Sequence, residues 1–199
     1  MALSTKQKAG LIIHSYATGA AAWSAATAFI PVAGPLLGDT AGLTAITIAM
    51  TYSLARLFNR DLEESAMWSF GTVVIGMVFG SVLLKSLASL IPILGSGVNA
   101  SITFALHEAT GWALFMIFDA GLDPTKLGRE ELKGFIEKGK DVAAIEKASY
   151  EKTMSQLPDN IRNEVVRLQR KMGESDTDEV GKANIMRKIE ALVELYHVS

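Results

Sequence analysis

Polar residues almost vanish from two long tracts of this chain. Between Ala9 and Ala55 the only formal charge is Asp39, and between Ala66 and Phe118 only Lys85 and Glu108 interrupt the apolar pattern. Each tract is punctuated once near its middle by helix breakers: Pro31, Gly34 and Pro35 in FIPVAGPLLGD, then Pro92, Gly95 and Gly97 in IPILGSG. Proline lacks the N–H that helix continuation needs, and glycine supplies backbone conformations that other residues resist. The pattern predicts four helices, Ala9–Ile30, Leu36–Phe58, Ala66–Ile91 and Val98–Phe118, folded as two hydrophobic hairpins. A run of about 22 residues rises ~33 Å, the hydrocarbon thickness of a bilayer. All four are read as membrane-length helices, since apolar runs this long far exceed strand lengths.

The two hairpins carry an internal echo. Pro31 and Gly34 align with Pro92 and Gly95 at the same offset that aligns Gly10 with Gly71 and Gly19 with Gly80. Matched breakers at one offset predict two copies of one supersecondary unit. Small residues recur at helical spacing as well: Ala17, Ala21 and Ala25 in the first helix, and Thr72, Gly76 and Gly80 in the third. In lipid, helices associate through such small faces because no apolar burial is gained by leaving hydrocarbon. These six positions are therefore the expected helix-packing faces, within the chain and between copies of it.

Past residue 120 the pattern changes to amphipathic. Asp123-Pro124 reads as a helix start with proline at the first position. Leu132, Phe135, Ile136, Val142, Ile145 and Ser149 then line one face, and Leu157-Pro158-Asp159-Asn160 breaks the helix. Ile161, Val165, Leu168 and Met172 repeat at helical spacing up to Gly173, a candidate C-terminal cap. Ser175 or Asp176 can cap a last helix striped with Ile185, Ile189, Leu192 and Tyr196. Such stripes are read first as core packing, and only second as a partner-recognition surface.

Charge sharpens the division. Residues from Asp119 onward hold 30 of the 40 charged side chains, although the whole chain is 49% apolar. Two units follow: residues 1–120 as a membrane-embedded double hairpin, and residues 121–199 as a charged helical tail. If each hairpin enters and returns, 18 of the 19 Lys and Arg residues fall on the side of the termini and the hairpin tips hold none. That asymmetry assigns both termini to the cytoplasmic side of a bacterial inner membrane. Tyr52, Phe58, Trp68, Phe70, Trp112, Phe115 and Phe118 gather toward the same side, as interfacial belts do, whereas Trp23 does not fit. Lys6 and Lys8 precede the first apolar run as in a signal peptide, but the run is too long and has successors, so it is read as retained. With a net charge of −2 and basic residues interleaved with acidic ones, nucleic acid is not an expected partner.

Little catalytic chemistry is legible. The chain has no GxxxxGK[ST] loop, no GxSxG and no cysteine, and His107-Glu108 starts an HExxH pattern that fails because residue 111 is glycine. No cofactor or metal is expected, and the chain is not read as an enzyme. The intramembrane charges need partners, because a charged group at mid-membrane costs roughly 2.5–3.5 kcal/mol even on insertion scales. Heights counted from the hairpin tips pair Lys85 with Asp39 across the two hairpins. Glu108, beside His107, is the second choice, and the four residues together are the candidate polar path.

The second hairpin has an Ile-Pro break, a Gly-Ser turn, a small-residue helix and a glycine before an aromatic, here Ile91, Pro92, Gly95, Ser96, Asn99, Gly111 and Trp112. In this it resembles the domain-of-unknown-function 697 family of bacterial helical membrane-associated proteins. AFIPVAGPLLGD fits that family's upstream turn more loosely, and the likeness covers roughly residues 10–120. In that family the module often follows an Era-like GTPase domain. The resemblance implies a membrane anchor or assembly module with a GTPase partner, although here no GTPase is present and a charged tail follows.

The expectation is thus an all-α, non-enzymatic membrane scaffold that self-associates as a homo-oligomer in the lipid bilayer. Two alternatives stand beside it: a pore or channel lined by Lys85, His107 and Glu108, and a soluble helical adaptor whose hairpins bury one another.

Overall fold

The structure is a computed structural model that describes residues 3–27, 34–79, 98–174 and 177–196. Every element longer than a single turn among the described residues is an α-helix: α1 Thr5–Thr27, α2 Gly34–Leu57, α3 Glu64–Phe79, α4 Val98–Asp119, α5 Arg129–Ser155, α6 Asp159–Lys171 and α7 Glu179–Tyr196. One 3-10 turn, Pro124–Lys126, precedes α5. The all-α expectation stands.

Helices α1 and α2 run antiparallel: Trp23 lies on Gly42 and the Tyr16 hydroxyl is 3.0 Å from Ser53 Oγ. Gly42 is needed there, since a Cβ would sit 2.2 Å from Trp23 Cε2. The aromatic that fitted no interfacial belt is thus a packing residue between two helices. Helix α4 returns along α1, with Trp112 on Gly10 and Gly111 on Ile13, and α3 returns along α2, with Gly71 on Ile48 and Thr44. Helices α2 and α4 lie side by side and parallel. Thr47 Oγ1 is 3.2 Å from His107 Nε2, and the rings of Phe58 and Phe118 are 5.9 Å apart, so residues about 60 positions apart face each other.

The repeat read from Pro and Gly positions therefore has a structural counterpart. Both α2 and α4 end in the same way. The Arg60 N–H donates to Ala55 O and the Leu122 N–H to Ile117 O, around a left-handed residue at Asn59 (φ 52°) in one case and Gly121 (φ 74°) in the other. These are Schellman-type ends, in which a left-handed residue lets the next N–H reach back and satisfy an orphan carbonyl. Arg60 Nη2 donates to Gly121 O at 3.0 Å and ties the two ends together.

The tail does not sit beneath the hairpins; it wraps their sides. Helix α5 crosses α4 so closely that a Cβ on Gly139 would lie 2.1 Å from Ala109 O, and a Cβ on Gly173 after α6 would lie 2.2 Å from Gly19 O. Contacts of the tail with α1 run from the Lys6–Glu146 ion pair to the Gly19–Gly173 crossing. Thirteen residues of helix rise separate those two points, about 20 Å. Helix α7 closes the same side, with Lys8 paired to Glu194 at 2.6 Å. The buried core is one cluster that crosses residue 120, uniting Ile12, Tyr16, Leu54 and Trp112 with Leu132, Val165 and Ile189.

This arrangement corrects the expectation of four membrane-length helices. Among the described residues only Ala100–Asp119 is long and apolar enough to cross a membrane, and 78% of it is buried inside the protein. Helix α1 is apolar on all sides because other helices surround it: Ile12, Ile13, Tyr16, Ala17 and Ala20 are each 0% exposed. A helix hydrophobic all round is either a membrane span or the centre of a bundle, and periodicity does not distinguish the two. Its Gly10, Ser15, Thr18 and Gly19 suit close helix contact better than lipid. The third expected span is described only to Phe79, and the remainder lies outside the described residues.

Candidate functional site

Four helices bring polar side chains together beside the middle of α1. His14 of α1 places Nδ1 3.0 Å from Oε1 of Glu108 on α4, and its ring stacks on Tyr150 of α5 with centroids 3.6 Å apart. Gln169 of α6 donates its Nε2 hydrogens both to Ser15 Oγ at 3.0 Å and to the Tyr150 hydroxyl at 2.9 Å. One amide thereby stitches α6 to α1 and α5. Glu108 is 8% exposed and its Oε1 has no well-directed hydrogen bond, so the imidazole is its main compensation. Burial pushes the Tyr150 phenol up to about 12. The hydrogen bond from Gln169 opposes this, and the neighbouring Glu108 charge reinforces it.

This cluster forms the polar end of a groove of about 730 Å³ between α1, α4, α5 and α6. Its apolar wall is built of Ala21, Ala22 and Ala25 from α1, with Ala100 and Phe104 from α4 opposite. Lys147, Glu151, Arg162 and Arg170 of α5 and α6 also line it.

A second feature lies on the far side of the molecule. Helix α3 buries Met67, Phe70, Val74, Ile75 and Met77 but leaves Trp68, Thr72, Val73 and Gly76 on its outer face. Trp68 is 45% and Val73 46% exposed, and a Cβ on Gly76 would meet nothing within 4 Å. No charge occurs from Ser65 to Phe79, so this face is uncharged, with Trp68 and Val73 as its exposed apolar side chains and Ser69 and Thr72 as its exposed hydroxyls. Other exposed apolar side chains, such as Ile145 and Leu195, stand on helices rich in charge.

The expected site residues separate in this geometry. His107 and Glu108 are neighbours in sequence but point to different helices. His107 is 3.2 Å from Thr47 of α2, and its Nδ1 lies 2.9 Å from Thr103 O, whereas Glu108 faces His14. They do not line one polar path. Lys85 lies outside the described residues, as does the side chain of Asp39, whose backbone is in α2, so their pairing falls there too. Of the expected turn residues, Gly34 and Pro35 belong to the first turn of α2; Pro31, Pro92, Gly95 and Gly97 lie outside the described residues. Among the expected packing positions Ala17 is buried, Ala21 and Ala25 line the groove, Thr72 and Gly76 are exposed, and Gly80 lies outside the described residues.

Sequence reasoning missed His14, Tyr150 and Gln169. The available signal was a histidine inside an apolar helix, which needs a polar neighbour just as an aspartate or lysine does. No family model, curated protein or solved structure matches the chain.

Proposed function

We propose that the protein is a non-enzymatic helical scaffold that assembles with copies of itself at a membrane, using the outer face of α3 as its contact edge. The observation that carries this reading is the contrast between α1, which is enclosed by other helices, and α3, which presents Trp68, Thr72, Val73 and Gly76 to the outside. Contiguous exposed apolar surface marks protein or membrane contacts, and a Thr-x-x-x-Gly spacing permits close approach of a second helix. Trp68 and Val73 are already about half covered, so covering the rest of either contributes roughly half of the 1.5–3 kcal/mol of a full burial. The likeness of Ile91–Trp112 to a membrane-associated family adds a GTPase-linked process and a bacterial membrane setting to the proposal.

Sedimentation and vesicle flotation of the full chain test it. The wild type should form a defined oligomer and float with vesicles, and Trp68→Ser/Val73→Ser should weaken both while leaving helical content unchanged. A wild type that stays monomeric in the vesicle-free fraction contradicts the proposal.

One observation favours a second reading, a helical adaptor that works in water. The tail packs on α1 and α4, and the one stretch among the described residues that is long and apolar enough to span is mostly inside the protein. Purification without detergent to a stable monomer favours that reading. No described observation favours a pore, since His107 and Glu108 face different helices.

A further inference from the structure

The geometry points to the α1–α4–α5–α6 groove as a binding site for a single-chain anionic amphiphile, a long-chain carboxylate. At about 730 Å³ the groove falls within the ~300–1,000 Å³ typical of small-molecule sites. Two of its properties select the ligand. Its apolar lining sets the small side chains Ala21, Ala22, Ala25 and Ala100 beside the larger Phe104, Met154 and Val166, and the alanines leave the space that a chain can occupy. Along α1 that channel runs from His14 to Ala25, eleven residues or about 16 Å, a length suited to an extended acyl chain.

The charge lining it is lopsided. Lys147, Arg162 and Arg170 face one carboxylate, Glu151. Arg162 is paired with Asp159, but Lys147 and Arg170 are exposed and have no ion-pair partner among the described residues. They stand on α5 and α6, the two helices that Gln169 joins through Tyr150. A carboxylate held between them would receive charge-assisted hydrogen bonds, and its chain would lie on the alanines. A neutral or cationic amphiphile gains nothing from the two bases. This inference is independent of the α3 edge, which lies elsewhere on the molecule.

Titration of the delipidated full chain with oleate and with oleyl alcohol, below their aggregation concentrations and with stoichiometry read by native mass spectrometry, tests the site. Oleate should bind one per chain and at least tenfold more tightly than the alcohol. The double variant Lys147→Gln/Arg170→Gln, altered only at exposed positions, should lose roughly tenfold in affinity, and Glu151→Gln should gain a few-fold. Ala25→Phe should block the channel, and thermal denaturation of that variant confirms that it folds. Equal binding of the alcohol, several oleates per chain, or affinity untouched by both Lys147→Gln/Arg170→Gln and Ala25→Phe overturns the inference.

Discussion

At the scale of single residues, the interior of this protein turns on one carboxylate. Glu108 is buried beside His14, and removing one partner of a buried pair leaves the other uncompensated. His14→Ala should therefore destabilise the protein by about 3 kcal/mol in urea denaturation. Adding Glu108→Gln to His14→Ala should recover part of that loss, which a double-mutant cycle would register as coupling. The need for a partner to Glu108 was legible in the sequence, but the partner was not, because helical spacing gives the height of a residue and not which helix stands opposite. A second residue-scale prediction concerns alkali. The Tyr150 phenol is neutral in the fold up to about pH 12 but has its ordinary value when unfolded. Its contribution is whole below about pH 10 and is lost as pH rises through 10 to 12. Tyr150→Phe should flatten the fall in stability over that window, measured as urea midpoints against pH; an unchanged slope would remove Tyr150 as its source. Glu190 behaves similarly at lower pH: burial first, then Glu194, raise its carboxyl, while Lys8, Arg56 and Arg187 oppose. Its stability contribution is present in acid and lost on ionisation, so Glu190→Gln should raise the melting temperature at pH 7 and converge with wild type near pH 4.

At the scale of elements, close approach between helices decides which glycines matter. Gly134 and Gly139 share α5, yet a Cβ at Gly134 meets nothing within 4 Å while one at Gly139 collides with the Ala109 carbonyl of α4. Gly134→Ala should stabilise by roughly 0.5–1 kcal/mol through helix propensity alone. Gly139→Ala gains the same propensity but forces two helices apart, a net destabilisation of about 1–3 kcal/mol in thermal or chemical unfolding. Helix positions in the tail were readable from periodicity: α5 ends and α6 begins around Leu157–Asn160, and Ile161, Val165, Leu168 and Met172 are all buried. The face of α5 was read only partly. Ile145 is 72% exposed, because the buried stripe runs through Leu132, Ile136, Gly139 and Ala143. Hydrophobic pattern favours large side chains, and here the closest contact uses the smallest. Gly173 has a similar explanation: its backbone is not left-handed, and its smallness serves the crossing with Gly19 rather than a cap. The start of α5 also differs from the reading at Asp123-Pro124, which caps only the short 3-10 turn. There the Thr125 hydroxyl and N–H both donate to Asp123 Oδ1, and together with Lys126 they hold its carboxyl below its ordinary value against the opposing effect of burial. The longer helix begins after Gly128, whose N–H donates to Glu131 at 2.9 Å.

At the scale of the whole molecule, the apolar half of the chain divides into a part that other helices cover and a part that they do not. Composition showed a greasy half and a wet half, but composition carries no information about which surrounds which. Helices α2 and α4 enclose most of α1 and the tail covers part of the rest, so the apolar character of α1 is accounted for by protein contact. Among the described residues the outer face of α3 is left uncovered, and the proposed assembly rests on it. The chain has no cysteine, so a single engineered thiol can report on that face without competing reaction. An environment-sensitive fluorophore at Val73→Cys should shift to the blue and lose accessibility to aqueous quenchers when vesicles are added. The same label at Ile145→Cys, a still more exposed position on the tail, should stay in water. Matching spectra at the two positions, with residue 73 as accessible to quencher with vesicles as without, would contradict the account.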